Sequence, residues 1–124
     1  MHIFKTRLFV KWARKERLSD SLLWQAVHEM EQGLIDANLG GHVYKKRIPL
    51  QGSGKRGGAR SILVYREADK AFFIFGYTKN EKANMSDEEL KLAKMLAGEL
   101  LNYSGDQLNK LVKEGKLIEV NYDG

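Results

Sequence analysis

Two apolar runs, SILVY at residues 61–65 and AFFIFGY at residues 71–77, flank a short polar stretch, Glu67-Ala68-Asp69-Lys70. Nothing else in the chain constrains the fold as strongly. Runs rich in β-branched and aromatic residues, joined by a tight polar turn, form an antiparallel hairpin, here with strands expected over residues 60–66 and 71–77. Their apolar residues occupy nearly every position, so both faces should be covered. In an antiparallel pair the start of one strand lies beside the end of the other. The basic, glycine-rich run GSGKRGG at residues 52–58 should therefore bring Lys55, Arg56 and Arg60 up to Tyr77, Lys79 and Lys82.

The chain has 124 residues, 43% of them hydrophobic and 30% charged, which fits one domain over residues 1–124 with a real core. No apolar run approaches the roughly 20 residues of a bilayer helix, and no membrane partner is expected. The opening segment MHIFKTRLFVKWARKERL is broken by charge every few residues and lacks the apolar core of a signal peptide. Cysteine is absent, which fits a reducing cytoplasm. Charge is distributed unevenly: residues 1–66 carry 13 Lys and Arg against 5 Asp and Glu, residues 67–124 carry 8 against 11. Between Tyr44 and Ser61 lie Lys45, Lys46, Arg47, Lys55, Arg56 and Arg60 with no acidic residue. Such a patch is the footprint of a phosphate-backbone binder or of a surface for an acidic protein.

Residues 3–12 are rich enough in β-branched and aromatic residues for an outer strand. A helix should run from about residue 20 to Glu31 or Gln32, capped by Ser19 or Ser21 and stopped at Gly33. The Gly40-Gly41 pair predicts a turn into a strand over residues 42–48, ended by Pro49. On that strand Lys45 and Arg47 share one face and Lys46 takes the other, an arrangement suited to a sheet edge or to the cationic end of the hairpin. Ser86 with Glu89 and Ser104 with Gln107 are capping boxes that open two late helices, the first with the apolar stripe Leu90, Ala93, Leu96, Ala97, Leu100 and Leu101. The tail LIEV can add a short strand or pack. An α+β domain is the economical reading.

The motifs exclude more than they assign. Residues 52–57 match GxGxxG, but that loop binds a dinucleotide only when a helix opens directly after it, and here a strand follows. A Walker A loop fails because Pro49 occupies its first glycine position and Arg56 follows the lysine. His2, His28 and His42 are dispersed, so neither metal nor other cofactor is expected. What remains is a set of cations beside Tyr77, whose ring either stacks a nucleobase or closes the edge of the core. To cleave RNA, such a site must take the proton of a 2′-hydroxyl, stabilise the phosphorane and help the 5′-oxygen leave. A lysine crowded by other cations favours its neutral form, which suits Lys79 as the base. Arg60 would hold the phosphate, with Lys55 or Lys82 assisting.

The segments GLIDANLGGHVYKKRI, GSGKRGGARSILVYR, KAFFIFGYTKNEKANMSDEELK and GKLIEV resemble the RelE-like branch of the RelE/ParE and HigB toxin superfamily. The resemblance implies a single α+β domain with helices on a twisted antiparallel sheet, here with an extra C-terminal helix at residues 104–115. It implies a toxin of a type II toxin-antitoxin system, silenced by a cognate antitoxin and acting as a metal-independent, ribosome-dependent mRNA endoribonuclease that inhibits translation. ParE members poison gyrase instead, so a gyrase inhibitor or a non-enzymatic nucleic-acid-binding regulator is the alternative. By position, the catalytic site falls on Arg60, Lys79, Lys55 and Tyr77, with RNA held by Lys45, Lys46, Arg47, Arg56 and Lys82. Relatives that complete the site with a later histidine or a C-terminal Arg and Tyr pair differ from this chain, in which no histidine follows His42.

Overall fold

The computed structural model describes residues 1–50 and 54–121, with only the backbone described for residues 54–57. Among the described residues the elements run β1 (His2–Thr6), α1 (Arg7–Lys15), α2 (Asp20–Glu31), β2 (Ala37–Gly40), β3 (Val43–Leu50), β4 (Gly54–Arg66), β5 (Lys70–Thr78), α3 (Asp87–Asn102), α4 (Gly105–Lys113) and β6 (Leu117–Glu119). They form one six-stranded sheet in the order β2-β3-β4-β5-β1-β6, the α+β architecture expected. Its pairings are antiparallel apart from β1 with β5, which is parallel. No helix among the described residues is long and apolar enough to cross a membrane.

The hairpin of β4 and β5 is the centre of the molecule and is covered on both faces. Leu63, Tyr65, Ala71 and Phe73 pack with Phe9 and Ala13 of α1 and Leu23, Val27 and Met30 of α2. Ile62, Val64, Phe72 and Ile74 pack with Ala93, Ala97 and Leu100 of α3 and Leu108 of α4. Each fully buried large side chain contributes about 1.5–3 kcal/mol, so the apolar runs both require and secure the two helical layers. The predicted caps hold these helices: Ser19 accepts from Leu22 N, and both capping boxes, at Ser86 and Ser104, are formed.

Three expectations are corrected. The strand over residues 3–12 stops at Thr6, whose Oγ1 donates to Ile74 O at 2.6 Å and accepts from Phe9 N, ending β1 and capping α1 together. Beyond it Phe9 and Ala13, four apart, are buried while Arg7, Lys11 and Arg14 face solvent, a helical period that the aromatic content conceals. Nor does Pro49 end β3, which runs to Leu50 with a register irregularity between Ile48 and Leu50. A bulge leaves the missing N–H without a ladder partner to disappoint. The glycine-rich run is also partly strand, because β4 begins at Gly54.

A second irregularity positions the basic end. Ile62 pairs with Phe75 but Leu63 pairs with Phe73, so Ile74 is an extra residue in β5. After the extra residue the strand's alternation changes phase. Phe75 and Tyr77 consequently face α3, and Gly76 faces α1, where an added Cβ would meet the Trp12 ring at 2.3 Å.

Candidate nucleic-acid interface

The phase change sets Tyr77 directly opposite Arg60, and Arg60 is opposite Arg47 of β3. A row of Arg47, Arg60 and Tyr77 therefore crosses three strands at one end of the sheet, on the α3 face. Lys45, two residues before Arg47, lies on the same face and donates to Asn84 Oδ1 at 3.4 Å. That oxygen also accepts from Tyr77 Oη at 3.2 Å and from Met85 N at 2.9 Å, which ties the sheet to the segment leading into α3. Lys82, in the same segment, is ion-paired with Glu89 and lies over the rings of Tyr77 and Phe75, at 5.5 and 5.8 Å from their centroids.

Like charges directly across a pair of strands are destabilising. Arg60 donates to Gly58 O at 2.9 Å, and among the described residues no carboxylate pairs with its guanidinium or with that of Arg47, whose backbone N donates to Asp36 Oδ2 at 2.8 Å. Lys79, on the turn after β5, is exposed and its side chain makes no polar contact with a described residue. Phosphate is the class of ligand that such a cationic end accommodates, because an anion between the guanidinium groups relieves their repulsion.

The structure separates the expected site residues. Lys45, Arg47, Arg60, Tyr77 and Lys82 come together, with exposed Lys79 just beyond the strand end. The side chains of Lys55 and Arg56 lie outside the described residues. Lys46 does not belong to the set. It is 2% exposed on the opposite face, where it donates to Glu29 Oε1 at 2.9 Å and to Leu34 O at 3.1 Å, with Asp36 at 3.7 Å. Strand alternation places Lys46 away from Lys45 and Arg47, and α2 supplies the acid.

Tyr77 takes the role of core closure, since at 1% exposed its ring offers no stacking surface to a base. Burial pushes its hydroxyl above the usual tyrosine pKa, only partly opposed by the charges of Arg60 and Lys82. It is a proton-bearing donor to Asn84. Lys79 does not share a strand face with Tyr77, because β5 ends at Thr78. Asn84 and Glu89 were not among the sequence candidates. The signal for Asn84 is an Asx residue two positions before a helix N-cap, where a side-chain oxygen commonly collects backbone donors.

No individual curated protein matches the chain significantly. A family model for the RelE toxin of the RelE / RelB toxin-antitoxin system matches residues 1–120. The chain accordingly belongs to the RelE family of toxins, which act in toxin-antitoxin systems.

Proposed function

We propose that this toxin is a metal-independent mRNA endoribonuclease that works on translated messages. The observation that carries the reading is the Arg47 and Arg60 pair, opposed across two strands with no carboxylate on either guanidinium among the described residues, and flanked by Lys45, Lys79 and the Glu89-paired Lys82. In the reaction, Lys79 takes the proton of a 2′-hydroxyl as its oxygen bonds to the adjacent phosphorus. The two arginines stabilise the phosphorane, and the P–O5′ bond breaks with Lys55 or Lys82 protonating the leaving oxygen. The products are a 2′,3′-cyclic phosphate and a 5′-hydroxyl. Tyr77 and Asn84 touch no RNA in this scheme and fix the strand end and the α3 approach relative to one another.

A non-cleaving inhibitor of gyrase or another nucleic-acid machine is favoured by one observation, the burial of Arg60 at 8% and Tyr77 at 1%. Mapping RNA 5′ ends in cells after brief induction of wild type and of Lys79→Ala decides between them. New ends inside reading frames with the wild type alone are expected. Growth arrest without new ends refutes the ribonuclease, and equal cleavage by both proteins removes Lys79 from the chemistry.

A further inference from the structure

An open groove of about 640 Å³ runs between α1, the free edge of β5 and α3. Its lining is mainly apolar, aliphatic at Leu8, Ile74, Leu92 and Leu96 and aromatic at Trp12 and Phe75; Leu8 and Leu92 are 63% and 64% exposed, and the two carboxylates present, Glu81 and Glu89, are each paired with a lysine. β1 pairs with β5 only as far as Phe73, so residues 75–77 of β5 present their outer edge here instead of a strand partner. Single exposed leucines are ordinary on a protein surface, but several around one groove mark a contact site.

Charge selects the occupant. Helix α1 holds Arg7, Lys11, Arg14 and Lys15 and no acidic residue. Lys15 pairs with Glu81 at 3.5 Å on the groove side. Arg7, Lys11 and Arg14, at i, i+4 and i+7, have no ion pair among the described residues and line an adjoining hollow of about 730 Å³. Leu8 forms the ridge between the two depressions. A ligand that crosses this ridge meets apolar side chains first and free cations next. RNA would suit the cations but gains little from a trough whose exposed groups are leucines and whose aromatic rings are buried or half-buried, whereas an amphipathic segment with carboxylates on one side satisfies both.

We infer that this groove seats an acidic amphipathic segment of the cognate antitoxin. Lys82 and Tyr77 line the groove as well as the basic sheet end. A segment seated there covers Lys82 and bars a phosphate from it, so that antitoxin and RNA exclude one another. That exclusion, though not the docking, rests on the proposed ribonuclease reading.

The test is titration of the purified toxin with its purified cognate antitoxin, for wild type, Leu92→Glu and the triple variant Arg7→Glu/Lys11→Glu/Arg14→Glu. All four positions are solvent-facing, and thermal melting confirms that each variant is folded. Each variant is expected to bind antitoxin at least tenfold more weakly, and to stop growth of cells even when antitoxin is co-expressed. Affinity within twofold of wild type for both variants overturns the proposal. So does a dimer of free toxin that Leu92→Glu converts to monomer, since the groove would then belong to a second copy. If no RNA is cleaved yet the affinities fall as stated, the docking site stands and only the ribonuclease reading fails.

Discussion

Replacing Lys46 with methionine separates a buried ion pair from the basic end that lies on the other side of the same strand. The Lys46 side chain is 3% exposed, against 15% for that of Glu29 and 33% for that of Asp36. Deleting one partner of a buried pair costs about 3–5 kcal/mol. The partly wetted carboxylates place the loss near the lower figure, about 3 kcal/mol. A chain of this length has an unfolding entropy of about 0.26 kcal/mol/K near its midpoint, from roughly 2.1 cal/mol/K per residue. Lys46→Met should therefore lower the melting temperature by about 11 °C. Adding Glu29→Gln removes the carboxylate that Lys46 pairs with, so the two losses should not simply add, a non-additivity that a double-mutant cycle measures. Melting followed by circular dichroism reads both effects, and RNA affinity at a temperature where the variant is folded should be unchanged. A single variant that melts within about 3 °C of wild type, or that keeps its fold and loses RNA binding, would show that Lys46 reaches outward and that the face assignment is wrong.

Two other perturbations address the surroundings of the basic end. Gly76→Ala drives a methyl into the Trp12 ring, a contact of 2.3 Å that the indole must yield to. Overpacking of this kind costs about 1–3 kcal/mol, and chemical denaturation should show it; an unchanged midpoint would mean that α1 does not close on β5 as described. Glu89 gives a pH signature. The hydrogen bond from Lys82, followed by that from Ser86 N, holds its carboxyl below the usual value of 4.5. A depressed carboxylate stabilises the fold above its unfolded-state pKa, and that contribution disappears as pH falls through the folded-state value. An NMR titration should place the Glu89 midpoint below 4.5, and Lys82→Met should move it upward. No movement would mean that the pair does not persist in solution.

The sequence was most informative where local chemistry decides. Ser19, Ser86 and Ser104 announce their helices because a cap satisfies backbone donors only a few residues away. The central hairpin is equally legible, since strands apolar on both faces have few alternatives. Legibility ended at long range. Lys46 and Lys45 look alike in sequence, and only the seating of α2, with Glu29 17 residues earlier, makes one a buried clamp and leaves the other at the site. Arg7 to Lys15 hid a helix because its aromatic and branched residues also suit a strand. β2 was missed because ANLG is a short, polar edge strand with no apolar alternation to reveal it. The burial of Tyr77 depends on a cross-strand register that no single strand encodes.

That register also says how this family member can change. Because Ile74 is one residue more than the pairing requires, the make-up of the basic end is governed by counting as much as by chemistry. Deleting a single residue between Phe73 and Tyr77 would remove that surplus and leave the tyrosine opposite Arg60, whereas deleting two would bring its side chain round to α1 and send Thr78 toward Arg60, with every cation unaltered. Length changes past Thr78 carry no such penalty, for the ladder has already ended. The nine-residue strand can consequently lose its one surplus residue without re-aiming Tyr77, and no more than that.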